Sequence, residues 1–411
     1  MKLHSLLPLA ALCLALPIAA QEPPVTGNVT DAGTPSRFIV DNTPVLCSST
    51  TMSYSAEPKQ RLGSHVCPQH RLGDLVTATG KLKSGVLIAD TIDTKAPWPA
   101  PIDGTAVIER VTTSADGKLT LQADGYRIRV TAETKQAWLA PLADHTAVTP
   151  NTWLRYSGTQ EVDGTVTATT LTYSVNTLSN REAKLSNKDE FDPSAVTEQD
   201  RQGAISSFVL GTNAKRFPAY KDAAMQQRIE SIGAKLVPAF QQALTDSNPS
   251  KLNFRFQVVD KDKLKDAVTL SNGIILIPRQ VVERLENDAQ VATVLADNIA
   301  CAFEKQTFRQ IPARNVMTGT TIATAAAGVL VPGLGLATGV GESVAASKML
   351  KHAEEQSGRV SLSLLHDAGY DITQAPVTWW ILASKKPRTK TDMPYRARYL
   401  YNQLATTWRI P

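Results

Sequence analysis

The chain has 411 residues, of which 42% are hydrophobic, 20% charged and 6% aromatic, with 43 Lys+Arg against 38 Asp+Glu and a formal net charge of +5. That is the make-up of folded globular protein, neither a disordered tail nor a fibrous repeat, and the length allows two or three domains, each able to bury its own core. The basic residues are scattered among acidic ones instead of forming a stripe, so no nucleic acid partner is expected.

Lys2 precedes an apolar run from Leu6 to Leu16, followed by Pro17-Ile18-Ala19-Ala20. This order predicts a signal peptide over 1–20, cut after Ala20, and a periplasmic or secreted protein in a compartment where disulfides persist. Of the cysteines beyond it, Cys47 and Cys67 share the N-terminal part and Cys301 lies far downstream, which makes a Cys47–Cys67 disulfide the simplest reading. His65 and His70 flank Cys67, and imidazole with thiolate makes a zinc site the alternative there, although a fourth ligand is not evident.

From Phe38 to about Ser174, short alternating segments rich in Val, Thr, Ile and Leu are separated by Gly, Asp and Pro clusters, the pattern of an all-β region. The run Leu75–Gly80, then Gly85, Ala89 and Ile92, recurs as Trp153–Gly158, then Gly164, Ala168 and Leu171, at an offset of 78 to 79 residues. Lys118–Leu121, Asp124-Gly125 and Arg127–Thr131 read as a hairpin upstream of the second copy. The expectation is two tandem small β-barrel modules, 37–95 and 103–175, with glycines at turns and strand bends. They resemble oligonucleotide/oligosaccharide-binding-type (OB-like) barrels found as repeats in exported proteins. With few and isolated aromatics, a docking or spacer role is expected ahead of polymer binding.

Residues 176–200 are polar, carry both signs of charge and read as a linker. Beyond it the hydrophobic period moves from two towards 3.6, as in Ala223–Leu236, and the half from 201 to 411 is expected to be mainly helical. A strand, Phe254–Val259, leads through Ala267–Gly273 to Ile274-Ile275-Leu276-Ile277-Pro278 and then to helical stretches at Arg279–Leu285 and Ala289–Lys305. A later helix ends at Ala368-Gly369-Tyr370-Asp371.

This succession resembles the zinc metalloendopeptidase family that contains HtpX, BepA and the CAAX prenyl proteases (peptidase family M forty-eight), from about residue 253 to the end. The likeness is carried by the strand and glycine turn, the segment Glu286–Ala296 and the Ala-Gly-Tyr-Asp helix end. It implies an α+β fold with a metallopeptidase-like (zincin) domain over 201–411, a short edge-strand sheet and a substrate cleft edged by Ile274, Ile275, Leu276 and Ile277. The family's chemistry needs H-E-x-x-H, two imidazoles one helical turn apart on zinc with a Glu as general base. The window here is Asp297-Asn298-Ile299-Ala300-Cys301. Counting back from Asp371 places Gln356 at the third ligand, and Met393-Pro394 matches a later His-Pro pair. Two imidazoles, the base and the ligand carboxylate are thereby lost, and no catalytic residue, metal ligand or cofactor is expected. Glu354 and Glu355 read as solvated, and Cys301 as a small space-filling residue.

Between Asn315 and Gly341 lies the longest uncharged run, divided by Pro332-Gly333. A helical hairpin packed on the body is expected there, with membrane contact through 315–341 as the alternative. Trp379, Trp380, Tyr395, Tyr399, Tyr401 and Trp408 recur at helical spacing and read as core packing. The resulting expectation is a pseudopeptidase that binds or scaffolds an exported or envelope polypeptide in the former cleft by strand addition. An active zinc endopeptidase with substituted ligands and a polymer-binding role for the barrels are the alternatives.

Overall fold

The structure is a computed structural model that describes residues 24–41, 43–54, 63–71, 73–95, 100–115, 117–161, 163–186, 191, 217–260, 265–309, 340–383 and 394–410. The signal segment, most of the run from Asn315 to Gly341 and Met393 lie outside the described residues.

The first β unit contains β1 (Val25–Thr34), β2 (Arg37–Val40), β3 (Thr43–Leu46), β4 (Met52–Tyr54), β5 (Leu75–Lys83) and β6 (Val86–Lys95). Its sheet runs β3-β2-β1-β5-β6, and parallel pairing of β3 with β6 closes it into a five-stranded barrel, with β4 added alongside β6. The second unit, β7 (Ala100–Thr113), β8 (Leu119–Ala123), β9 (Tyr126–Arg129), β10 (Lys135–Trp138), β11 (Trp153–Gln160) and β12 (Val166–Ser174), repeats the arrangement: β9 pairs parallel with β12 and closes the ring. Both strand orders are compatible with the OB-like barrel expected from the repeat. The first barrel begins at Val25 instead of residue 37, because β1, with two glycines and alternating small polar residues, carries little hydrophobic signal.

The repeat has a structural cause. β5 slips one register step against β6 between Thr79 and Gly80, and β11 slips against β12 between Ser157 and Gly158. A Cβ on Gly80 would sit 2.0 Å from the Ile88 carbonyl oxygen, and one on Gly158 2.4 Å from that of Thr167, so only glycine lets the strands approach there. Thr51 donates to the Ala89 carbonyl at 2.7 Å and Thr134 to the Ala168 carbonyl at 2.8 Å, the same side-chain clip in both copies. Asp124 and Gly125, with φ of 57° and 71°, form the tight β8–β9 turn that the Asp-Gly pair predicts.

Cys47 and Cys67 form the expected disulfide, with Cα atoms 5.8 Å apart. That consumes the thiolate a zinc site would use. His70 is buried against Phe38 with ring centroids 3.9 Å apart, while His65 is exposed. Burial lowers the His70 pKa to about 4.

The segment read as a linker carries a short helix, α1 (Asn180–Ser186), opened by a reciprocal cap in which Glu182 accepts from the Ser179 N–H and Ser179 Oγ from the Glu182 N–H. The remaining half is helical around a three-stranded sheet. It comprises α2 (Ala223–Leu236), α3 (Ala239–Ala243), β13 (Arg255–Val259), β14 (Val268–Thr269), β15 (Ile274–Pro278), α4 (Arg279–Glu283), α5 (Asp288–Phe303), α6 (Gln306–Arg309), α7 (Val340–Asp367), α8 (Gln374–Leu382) and α9 (Tyr395–Gln403), with a final π-helical turn over Leu404–Trp408.

Helix α5 runs through the centre of this half and is buried from Gln290 to Ala300. Its start is fixed by Asn287, which accepts from the Gln290 N–H at 3.0 Å, while the Gln290 side chain accepts from the Glu286 N–H at 2.8 Å. Gly369, at φ 74°, ends α7, and the Tyr370 N–H reaches back to the Leu365 carbonyl at 2.9 Å. These two devices account for the Glu286–Ala296 and Ala-Gly-Tyr-Asp segments. Trp379 is buried in the same core as α5, and Trp380, Tyr399 and Trp408 pack against it. No helix among the described residues is long and apolar enough to cross a membrane.

Candidate functional site

The sheet corrects one expectation. Strand β15, with Ile274, Ile275, Leu276 and Ile277, is the middle strand, not an edge: β13 pairs with it in parallel and β14 antiparallel. All of its residues are buried, Ile275 and Ile277 towards the main helical core and Ile274 and Leu276 towards Phe191 and Phe217. A strand so placed has its ladder filled on both sides and cannot take a third.

The window Asp297–Cys301 lies on α5 facing α7, α8 and α9, and a cation does stand among its acids: the guanidinium of Arg396. This group makes a close ion pair with Asp297, reaches Asp266 at 3.5 Å and Glu354 at 3.8 Å, and lies over the Trp379 ring at 3.3 Å from the centroid. Asp297 is 3% exposed and its Oδ1 has no hydrogen-bond partner. Burial alone would lower the Arg396 pKa, but Asp297, Asp266 and Glu354 together hold it above the ordinary value. Arg396 follows Pro394, which caps the start of α9, so that proline sets the helix that delivers this residue.

Asn298 is committed elsewhere. Its Oδ1 accepts from Thr269 Oγ1 of β14 at 2.6 Å, and its Nδ2 donates to the Val294 carbonyl at 2.8 Å. Both functions of the amide are used, and it has no proton-accepting chemistry near neutrality. Cys301 donates to Gln306 Oε1 at 3.2 Å. Burial, and then the charge of Asp297, push its thiol pKa well up, so the nucleophilic and metal-binding thiolate is disfavoured.

Gln356 is linked to the window through Gln306, which donates to it at 3.4 Å and accepts from Cys301, but its amide is otherwise spent on neighbouring elements. Its amide donates to the Thr105 carbonyl of β7 at 3.0 Å and accepts from Arg309 at 2.9 Å. Glu354 is the α7 residue that faces Arg396. Burial, opposed by Arg396, raises its pKa. Glu355 is bonded by Tyr395 and lies within 3.8 Å of Lys351. The reading of Glu355 as solvated is therefore corrected, its side chain being only 16% exposed, whereas Glu354 keeps 41% of its side chain exposed. Sequence reasoning missed Arg396 and Asp266. An arginine at the second position of a Tyr- and Arg-rich helix was the available signal for the first; Asp266, in a loop before a two-residue strand, offered none.

These residues do not fit a zinc ion. No imidazole is present, the base position is an amide already engaged, the thiol is held protonated, and the converging carboxylates are neutralised by a side chain of the protein itself. Among the described residues no group of three or more His, Cys, Asp and Glu side chains is arranged to hold a metal.

A second polar cluster joins the helical half to the second barrel. Glu304 lies beneath β7, both carboxylate oxygens accepting from the Val107 N–H at 3.2 Å, and burial raises its pKa well above the usual range. Arg359 donates to the Asp124 carboxylate at 2.6 Å and to Tyr399 Oη at 2.7 Å, and Tyr156 donates to the other Asp124 oxygen at 2.7 Å. Glu109 beside them is raised to about 8, first by burial and then by the charges of Asp367 and Asp124. This arrangement has the geometry of a structural seam.

Comparison with protein-family models and with curated proteins returns no match for the chain.

Proposed function

We propose that the chain is an exported, non-catalytic metallopeptidase-like protein, a pseudopeptidase that holds or scaffolds a polypeptide client without cutting it. The observation that carries this reading is Arg396: a permanently charged, tethered guanidinium fills the point on which Asp297, Glu354 and Asp266 converge. A water-activating metal would have to displace it, and Asn298 would still supply no base. The sequence resemblance to zinc metalloendopeptidases from about residue 253 to the end supports such an ancestry, and the Cys47–Cys67 disulfide suits an oxidising compartment.

The competing reading, a zinc endopeptidase with substituted ligands, draws on the same convergence of carboxylates. One experiment separates them: metal analysis of the purified mature protein, with binding and cleavage of an unfolded protein substrate measured side by side. Binding without cleavage, and no stoichiometric zinc, is the expected outcome. Stoichiometric zinc with chelator-sensitive cleavage overturns the proposal.

A further inference from the structure

At the edge of the sheet opposite Thr269, a cleft of about 680 Å³ straddles strand β13. One side is formed by Ala234, Val237 and Phe256, whose ring belongs to the main helical core. The other is formed by Phe191 and Ile274, which belong to the small cluster on the reverse face of the sheet. A pocket lined from both faces of one strand edge has the shape left for a neighbouring strand, whose successive side chains point to opposite faces.

The backbone points the same way. Arg255 donates its N–H to Gly273 at 3.3 Å, so residues of its parity spend their peptide groups on β15, and those of the parity of Phe256 and Val258 turn theirs outward. The upper part of that edge is occupied. Val258 N–H donates to Gln226 Oε1 at 3.0 Å, the Phe256 carbonyl accepts from Gln226 Nε2 at 2.7 Å, and the Val258 carbonyl accepts from the Tyr220 N–H at 2.9 Å. Below Gln226, the Phe256 N–H and the Phe254 carbonyl face the cleft without a partner among the described residues. A donor and an acceptor at strand spacing are what an extended backbone satisfies and what a compact small molecule does not.

Charge at the rim narrows the occupant. Lys251 is paired with Asp246 at 2.8 Å and Glu230 is bonded by the neutral Gln226 amide at 2.7 Å, while exposed Arg255, on the β13 edge itself, has no carboxylate partner among the described residues and is the cation an incoming strand would meet. We propose that this cleft docks an extended acidic-apolar polypeptide by strand addition to β13. Its backbone meets Phe256 N–H and the Phe254 carbonyl, an apolar side chain enters between Ala234, Val237 and Phe256, and a carboxylate meets Arg255. This rests on the reading that the chain binds a polypeptide, and it moves the contact from the buried strand Ile274–Ile277 to the open one.

The test uses the full mature chain and a fluorescein-labelled, end-blocked peptide of alternating Leu and Asp, read by fluorescence anisotropy. Saturable binding with Kd on the order of 10–100 μM is expected. Ala234→Trp, which fills the cleft from an exposed helix position, weakens it by at least about tenfold at unchanged melting temperature, and Arg255→Glu by about threefold or more. Methylating the peptide's backbone nitrogens abolishes binding. Binding that is indifferent to Ala234→Trp, or equal for the methylated peptide, overturns the cleft. A chain that holds unfolded protein but not this peptide overturns the cleft while leaving the proposed function standing, and one that holds neither overturns both.

Discussion

Replacing Arg396 by Met keeps an unbranched apolar stem over Trp379 and deletes the charge that neutralises Asp297. The Asp297 carboxylate is 3% exposed and already has one unpartnered oxygen, so it has no water to turn to. Removing one partner of a buried ion pair costs about 3–5 kcal/mol, because the surviving charge stays desolvated. Loss of the cation–π attraction to the Trp379 face adds roughly 0.5–2 kcal/mol. Glu354, whose side chain is 41% exposed, and Asp266, at 53%, contribute little, since water screens them. The expected loss for Arg396→Met is thus about 4 kcal/mol, dominated by one carboxylate. Asp297→Asn in the same chain removes the uncompensated charge and should recover at least about 2 kcal/mol of it, a non-additivity that only direct partners show. Urea unfolding of the helical half, followed by tryptophan fluorescence, reads both quantities. A single-variant cost below about 1 kcal/mol, or two costs that simply add in the double variant, would refute the assignment of Arg396 as the internal counter-charge.

Other perturbations address the rest of the molecule. The Glu109 carboxyl is held to about 8 in the folded chain, so the unfolded chain releases its proton first and stability falls as pH rises from about 4.5 to 8; Glu109→Gln should flatten that limb, gaining up to a few kcal/mol near pH 8 in a thermal-melt series. His70 has the opposite sign: its pKa is lowered to about 4, so its contribution is complete above about 6.5 and is lost as pH falls towards 4, and His70→Phe should blunt acid unfolding of the first barrel by at most about 3 kcal/mol. Gly158→Ala places a Cβ 2.4 Å from the Thr167 carbonyl oxygen and should cost the second barrel about 2 kcal/mol or more in chemical denaturation, with near-zero cost falsifying the bulge as the reason for the glycine.

Much of the architecture was legible because it is written in local chemistry. The paired runs around Gly80 and Gly158 announce a duplicated barrel, since each glycine answers a backbone clash in its own hairpin. Asp-Gly at 124–125 gives its turn, and the Gly369 stop gives the end of α7. What stayed hidden was settled by tertiary placement. The run Ile274–Ile277 reads equally as an edge or a centre, because a buried strand is apolar on both faces whichever neighbours it has. Counting along α7 reaches a turn but does not tell its faces apart: Gln356 points into the seam with β7, and Glu354 faces Arg396. Arg396 and Asp266 join Asp297 from 99 and 31 residues away, measured from their sequence numbers, and no periodicity within one element can bring such partners together.

The two barrels share a blueprint but not a situation. The second is fused to the helices through Val107, Thr105 and Asp124, whose peptide and carboxylate groups are met by Glu304, Gln356 and Arg359. The first meets the helical half chiefly at Asp41, bonded by Asn402 at 2.7 Å and approached by Arg398 at 3.4 Å. After a duplication, one copy has become foundation, and the other touches the helices, among the described residues, over a much smaller part of its strands. Sequence drift should accumulate unequally, slowly on the β7–β9 side that bears the helices and freely over most of the strand surface of its twin.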